Sequence, residues 1–109
     1  MPTNYKILGQ AAPTSNTLSD VYTCPSLTQA VISTITICNQ NASNISYSIA
    51  VANNGAADSN VQYLIRGGVV PAADSVALTL GLTIDASDVI RANVSSSNVS
   101  INIFGSEIT

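Results

Sequence analysis

From Ser75 to Ile84 the chain reads SVALTLGLTI, and every even position is apolar: Val76, Leu78, Leu80, Leu82 and Ile84, with Ala77, Thr79, Gly81 and Thr83 between them. Side chains of an extended strand point alternately to opposite faces, so a period of two predicts a strand with one face buried and one face wet. The period recurs in NISYSIAVAN, where Ile45, Tyr47, Ile49 and Val51 alternate with Ser46, Ser48 and Ala50, and in SNVSINIFG, where Val99, Ile101 and Ile103 alternate with Ser100, Asn102 and Phe104. No window of a dozen residues carries a stripe at i, i+3, i+4 and i+7, so helix is limited to a turn or two. A chain patterned in this way can fold only as an all-β domain.

Punctuation sets the number of strands. Turn-forming clusters (AAPTSN, CPS, CNQNASN, ANNGAADSN, RGG, PAADS, DASD and SSSN) break the sequence at short, regular intervals. They leave about eight strands, near 4–9, 17–23, 28–38, 45–52, 61–66, 75–84, 88–94 and 98–105. That pattern predicts a two-sheet antiparallel β-sandwich, jelly-roll or immunoglobulin-like, with the jelly roll favoured. The 109 residues make one domain, 1–109, with 1–16 expected as a partly extended N-terminal arm able to lace onto a neighbour.

One strand breaks the rule. In TQAVISTITIC, Val31, Ile35 and Ile37 fall on one face by parity and Ala30, Ile32, Thr34 and Thr36 on the other, so both faces carry methyl groups. Two readings fit: a central strand of the sandwich, or a strand lying at a subunit interface.

Charge excludes several classes of function. Charged residues are 8% of the chain, against about 25% in an average globular domain, while Ser, Thr and Asn make up about a third. The surface must therefore be covered by hydroxyls and amides. Three bases, Lys6, Arg66 and Arg91, in a chain of net charge −3 cannot build the basic patch that nucleic-acid phosphates require. No apolar run exceeds four residues, too short for a transmembrane helix, and MPTNYKILGQ lacks the blocks of a secretory signal. A soluble protein made in the cytoplasm, with no membrane partner, is the expectation.

The residues offer little chemistry. There is no histidine, and two cysteines without one do not make a zinc site. No GxSxG, GxGxxG or phosphate-binding loop occurs; RGG at 66–68 reads as a strand-ending turn. Asp85 and Asp88 in DASD, and Asp74 in AADS, read as turn-capping carboxylates ahead of a weak surface calcium site or an acid–base pair. If Pro25–Leu27 turn one strand back along the next, Cys38 lies about 33 Å from Cys24, beyond disulfide reach, and both are expected as small buried hydrophobes. Arg66 and Arg91 sit in strand-like segments, where they serve either a partner or an internal Asp. The sequons at Asn41, Asn44, Asn93 and Asn98 are expected by chance in so Asn- and Ser-rich a chain. No catalytic residue, metal or cofactor is expected.

With the strands placed, LGQAAPTSNTLSDVYTCPSLTQAVISTITICNQNAS, PAADSVALTLGLTI and the ending NVSINIFGSEIT resemble small virion structural proteins of tailed bacteriophages, especially those infecting cyanobacteria and other aquatic bacteria. The resemblance runs over essentially the whole chain and contains no catalytic motif. It implies a β-sandwich module on a virion, most simply a capsid decoration or cement protein that contacts the major capsid protein as a homo-oligomer, a trimer being one form. The alternatives are a tail, baseplate or fibre-associated part contacting tail proteins, and a carbohydrate-binding module using its exposed tyrosines. Residues expected at an assembly interface are Tyr5, Lys6, Ile7, Ile32, Tyr63 and Arg66.

Overall fold

The computed structural model describes residues 2–109. Nine strands follow one another: β1 (Thr3–Ala11), β2 (Ser19–Thr23), β3 (Gln29–Asn39), β4 (Ile45–Ala52), β5 (Tyr63–Val70), β6 (Ser75–Leu78), β7 (Leu82–Ile84), β8 (Val89–Val94) and β9 (Val99–Ile108). The only helical pieces among the described residues are two single 3-10 turns, Asn53–Gly55 and Asn60–Gln62. Sheet A runs β1-β9-β3-β6, with β7 pairing further along the same edge of β3; sheet B runs β2-β8-β4-β5. Every pairing is antiparallel.

The pairings are nested: β1 with β9, β2 with β8, β3 with β6 and β7, β4 with β5. Each of the first three connections switches sheets, so β1 to β4 do not pair with one another in sequence, unlike the hairpins of an immunoglobulin domain. This is the jelly-roll order of two Greek keys. The expected strand 75–84 is one edge in two pieces, because the chain leaves the sheet at 79–81, where Gly81 has φ +64°, a conformation that suits glycine.

Between the sheets the alternating residues meet. Ile35 and Ile37 from β3, Ile49 from β4, Ile90 from β8, and Ile101 and Ile103 from β9 are essentially inaccessible. Each contributes about 1.5–3 kcal/mol on burial, and branching at Cβ suits them to a pleated face.

The anomalous strand is central, lying between β9 and the β6–β7 edge. Its two apolar faces result from a bulge. Ile32 pairs with Gly105 and Thr34 with Phe104, which leaves Ser33 without a partner and inverts the inward parity. Ala30 and Ile32 therefore point into the core on one side of the bulge, and Ile35 and Ile37 on the other. A matching irregularity in β1 leaves Leu8 unpaired between Ile7, opposite Phe104, and Gly9, opposite Ile103. Both bulges flank Phe104, and the β3 bulge also adjoins Gly105, where a Cβ would run into the Val31 carbonyl oxygen, so only glycine lets β9 approach β3 there.

Three expectations change. The arm expected over 1–16 is, from Thr3 to Ala11, an edge strand hydrogen-bonded to β9; its first residue, Met1, lies outside the described residues. Pro25–Leu27 do not form a hairpin, because β2 and β3 belong to different sheets. Both cysteines are free, but only Cys24 is buried. Cys38 is half-buried, because the parity change at Ser33 turns it outward, opposite Ser75 and Ser100.

Candidate functional site

The two outer faces of the sandwich differ in what they expose. On sheet B the outward side chains include Asp20 and Arg91, paired across β2 and β8 with Nε to Oδ1 at 2.9 Å. The same guanidinium donates to the Ala56 carbonyl oxygen at 2.8 Å, pinning the 53–62 loop. That loop lies against β4 and β8 and shelters Ala50, Ala52 and Val89, which are buried outside the main core. Sheet B thus covers part of its own outer face.

Sheet A has no such cover and no such charge. Register places Tyr5, Ser106 and Val31 side by side across β1, β9 and β3, with Thr83 of β7 continuing the row. The adjacent row is Ile7, Phe104 and Thr34; beyond Tyr5 lies Thr3, Ile108 and Gln29; beyond Ile7 lies Gln10, Asn102 and Thr36. None of these positions is a carboxylate, a lysine or an arginine. Tyr5 is 86% exposed, Ile7 52% and Val31 38%, while Ser106 is nearly covered by its neighbours. The acids stand elsewhere: Asp20 on sheet B, four in turns or loops, and Glu107 inside.

Glu107 is the residue that sequence reasoning missed. It is 6% exposed between the sheets at the β1 end, where Tyr22 of sheet B donates its hydroxyl to Oε2 at 2.6 Å and Lys6 of β1 places Nζ 2.7 Å from Oε1. Hydrogen bonds from Lys6 and then Tyr22 hold the carboxyl below its usual range against the opposing effect of burial. Burial, reinforced by the bond to Glu107, pushes the Tyr22 phenol well above its ordinary value, and burial also pushes the Cys24 thiol up. A signal existed: Glu107 continues the odd, inward parity of Val99, Ile101 and Ile103. The cluster ties the two sheets together.

The six interface candidates are not brought together. Tyr5 and Ile7 stand on the open face of sheet A, and Lys6 points the other way, to Glu107. Ile32 is 3% exposed and belongs to the core, because it precedes the bulge; it is no surface residue. Tyr63 and Arg66 lie on β5, at the far edge of sheet B, and engage each other, with the guanidinium carbon 4.6 Å from the ring centroid. Arg66 also donates to Asn60 Oδ1 at 2.7 Å and Tyr63 to Asp58 Oδ2 at 3.2 Å. Both arginines in strands thus have internal partners.

The DASD turn contributes Asp85 and Asp88 to a concavity of about 370 Å³ whose lining also includes Val31, Ile84 and Ile108. Asp88 accepts from the Asn54 and Asp85 amides at 2.8 and 2.9 Å, and Asp85 from the Ala86 amide at 2.8 Å. These carboxylates cap backbone. Among the described residues no group of three or more His, Cys, Asp or Glu is placed to hold a metal. Asn39, another residue the pattern did not disclose, is 1% exposed; its Nδ2 faces the carbonyl oxygens of Ser43, Pro71 and Val70 at 2.9, 3.0 and 3.2 Å.

Against known proteins, no family model matches the chain, and no curated protein matches it.

Proposed function

We propose that the chain is a structural protein of a bacteriophage virion, a capsid decoration or cement protein that stabilises the particle through protein–protein contacts. The observation that carries the reading is the outer face of sheet A: four strands wide, uncharged, and exposing Tyr5, Ile7 and Val31. Laying hydroxyls, amides and methyl groups against a neighbour costs far less than burying charge. Many copies around symmetry axes then multiply a modest contact. The jelly roll is a common fold of viral shells, though also of lectins and cupins, so it supports the reading by analogy only. The sequence resemblance to virion proteins of tailed phages points the same way.

Cryo-electron microscopy of intact particles tests the proposal. Density for this chain on the capsid exterior is the expected result, and particles lacking it should rupture at lower temperature. Density confined to the region below the portal, or unchanged capsid survival without the chain, overturns the cement role in favour of the tail.

A further inference from the structure

We infer that the outer face of sheet A is the contact with a second copy of this chain, joined face to face about a two-fold axis. The inference rests on the assembly reading and narrows it by naming the partner and the surface.

Charge selects the occupant. A basic partner would seek acids and an acidic one bases, but the strand rows of this face carry neither. The nearest acids, Asp85 and Asp88, line a concavity at its margin, by Val31 and Ile108, and already accept from backbone amides. A charged partner therefore finds little to pair with and loses hydration. The matching surface is another uncharged, hydroxyl-rich sheet with a few protruding apolar side chains. This chain carries one, whereas its second outer face holds the Asp20–Arg91 pair and Arg66. A two-fold contact needs a surface complementary to itself, and a neutral one meets its own copy without like-charge repulsion. It also keeps the chain's net charge of −3 at the periphery.

Area is sufficient. Four strands at about 4.8 Å spacing, with a central strand of about ten residues at 3.3 Å each, present roughly 600 Å² per copy. The total of about 1,200 Å² reaches the size of stable specific interfaces. Tyr5 and Val31, flanking Ser106, stand at the centre of the apolar part, and Ile7 beside Phe104 extends it.

The test is light scattering and sedimentation of the full chain with three variants. The unmodified protein should be a dimer whose affinity holds or rises with added salt. Ile7→Lys and Val31→Glu should raise the dissociation constant at least about 100-fold by burying unpaired charge, with far-UV circular dichroism unchanged. Val69→Lys, at an exposed site on β5 of sheet B, should leave the dimer intact. Because the chain has no tryptophan, Tyr5→Trp adds a single probe that leaves the face uncharged; its emission should shift to shorter wavelength as concentration rises. A monomeric or trimeric unmodified protein, a dimer insensitive to Val31→Glu, or a concentration-independent Trp emission overturns the inference. A monomer that still decorates particles would refute the self-contact and leave the assembly reading standing.

Discussion

Replacing Tyr22 by Phe removes one oxygen and leaves the ring, so it isolates the hydroxyl's bond to Glu107. That bond is 2.6 Å long, its acceptor is ionised, and both residues are less than 10% exposed. A hydrogen bond to a charged, desolvated group is worth about 1.5–3 kcal/mol, and its loss strands a mostly buried carboxylate oxygen. Lys6 remains on the other oxygen, so we expect a loss of about 2 kcal/mol, and at roughly 5 °C per kcal/mol for a domain of this size Tm should fall by about 10 °C. Lys6→Met should cost less than about 1 kcal/mol, because the lysine side chain is half exposed and its charge is screened. The carboxyl is held below its unfolded value of 4.5, so its ionic contribution is present above that pH and lost as pH falls through the lower, folded value. The gap between the unmodified protein and Y22F should therefore narrow in acid, towards the value of a neutral hydrogen bond of about 1 kcal/mol. Thermal unfolding followed by circular dichroism and tyrosine fluorescence, from pH 7 down to about pH 3, measures both effects. A Y22F variant melting within about 2 °C of the parent at pH 7, or a gap independent of pH, would refute the reasoning.

Two other substitutions follow from contacts already described. Gly105→Ala drives a methyl into the Val31 carbonyl beside the β3 bulge, where the atoms it meets are largely backbone, and should cost about 3 kcal/mol, read as a shift of the urea midpoint at constant m. Asn39→Ala deprives the Ser43, Val70 and Pro71 carbonyl oxygens of their shared donor and frees Asn41 from Oδ1, and should cost about 3 kcal/mol by the same measurement.

The sandwich was legible because its strands alternate so regularly. In β4 and β9 six of the seven apolar residues named from parity (Ile45, Tyr47, Ile49, Val99, Ile101 and Ile103) are buried; the seventh, Val51, is half-buried, while Ala50, set on the wet face, is buried. Where the backbone leaves the regular ladder, parity misleads. The unpaired Ser33 swaps the faces of β3, so Ile32, expected at an interface, lies in the core, and Cys38, expected as a buried hydrophobe from its residue type, turns outward. The turn at Pro25 looked like a hairpin because turn residues announce a change of direction and say nothing about which sheet receives the next strand. Glu107 escaped because an acid near the end of a sequence is ordinarily solvated, and its two partners come from β1 and β2, a long way off in the chain. The open face of sheet A could not be read in advance, because its rows exist only once the register of β1, β9 and β3 is known.

The nested pairing has a consequence for how the molecule is made. The strand at the centre of sheet A, β9, is translated after all the others, so β1 and β3 emerge with no neighbour to bond along that side. Until it arrives, two strands with a single charge between them, Lys6, wait with open edges, a state prone to sticking to its like. Closure must then link residues about a hundred positions apart, a slow step for any chain. A nascent polypeptide of this design needs either quick delivery of β9 or protection until it emerges.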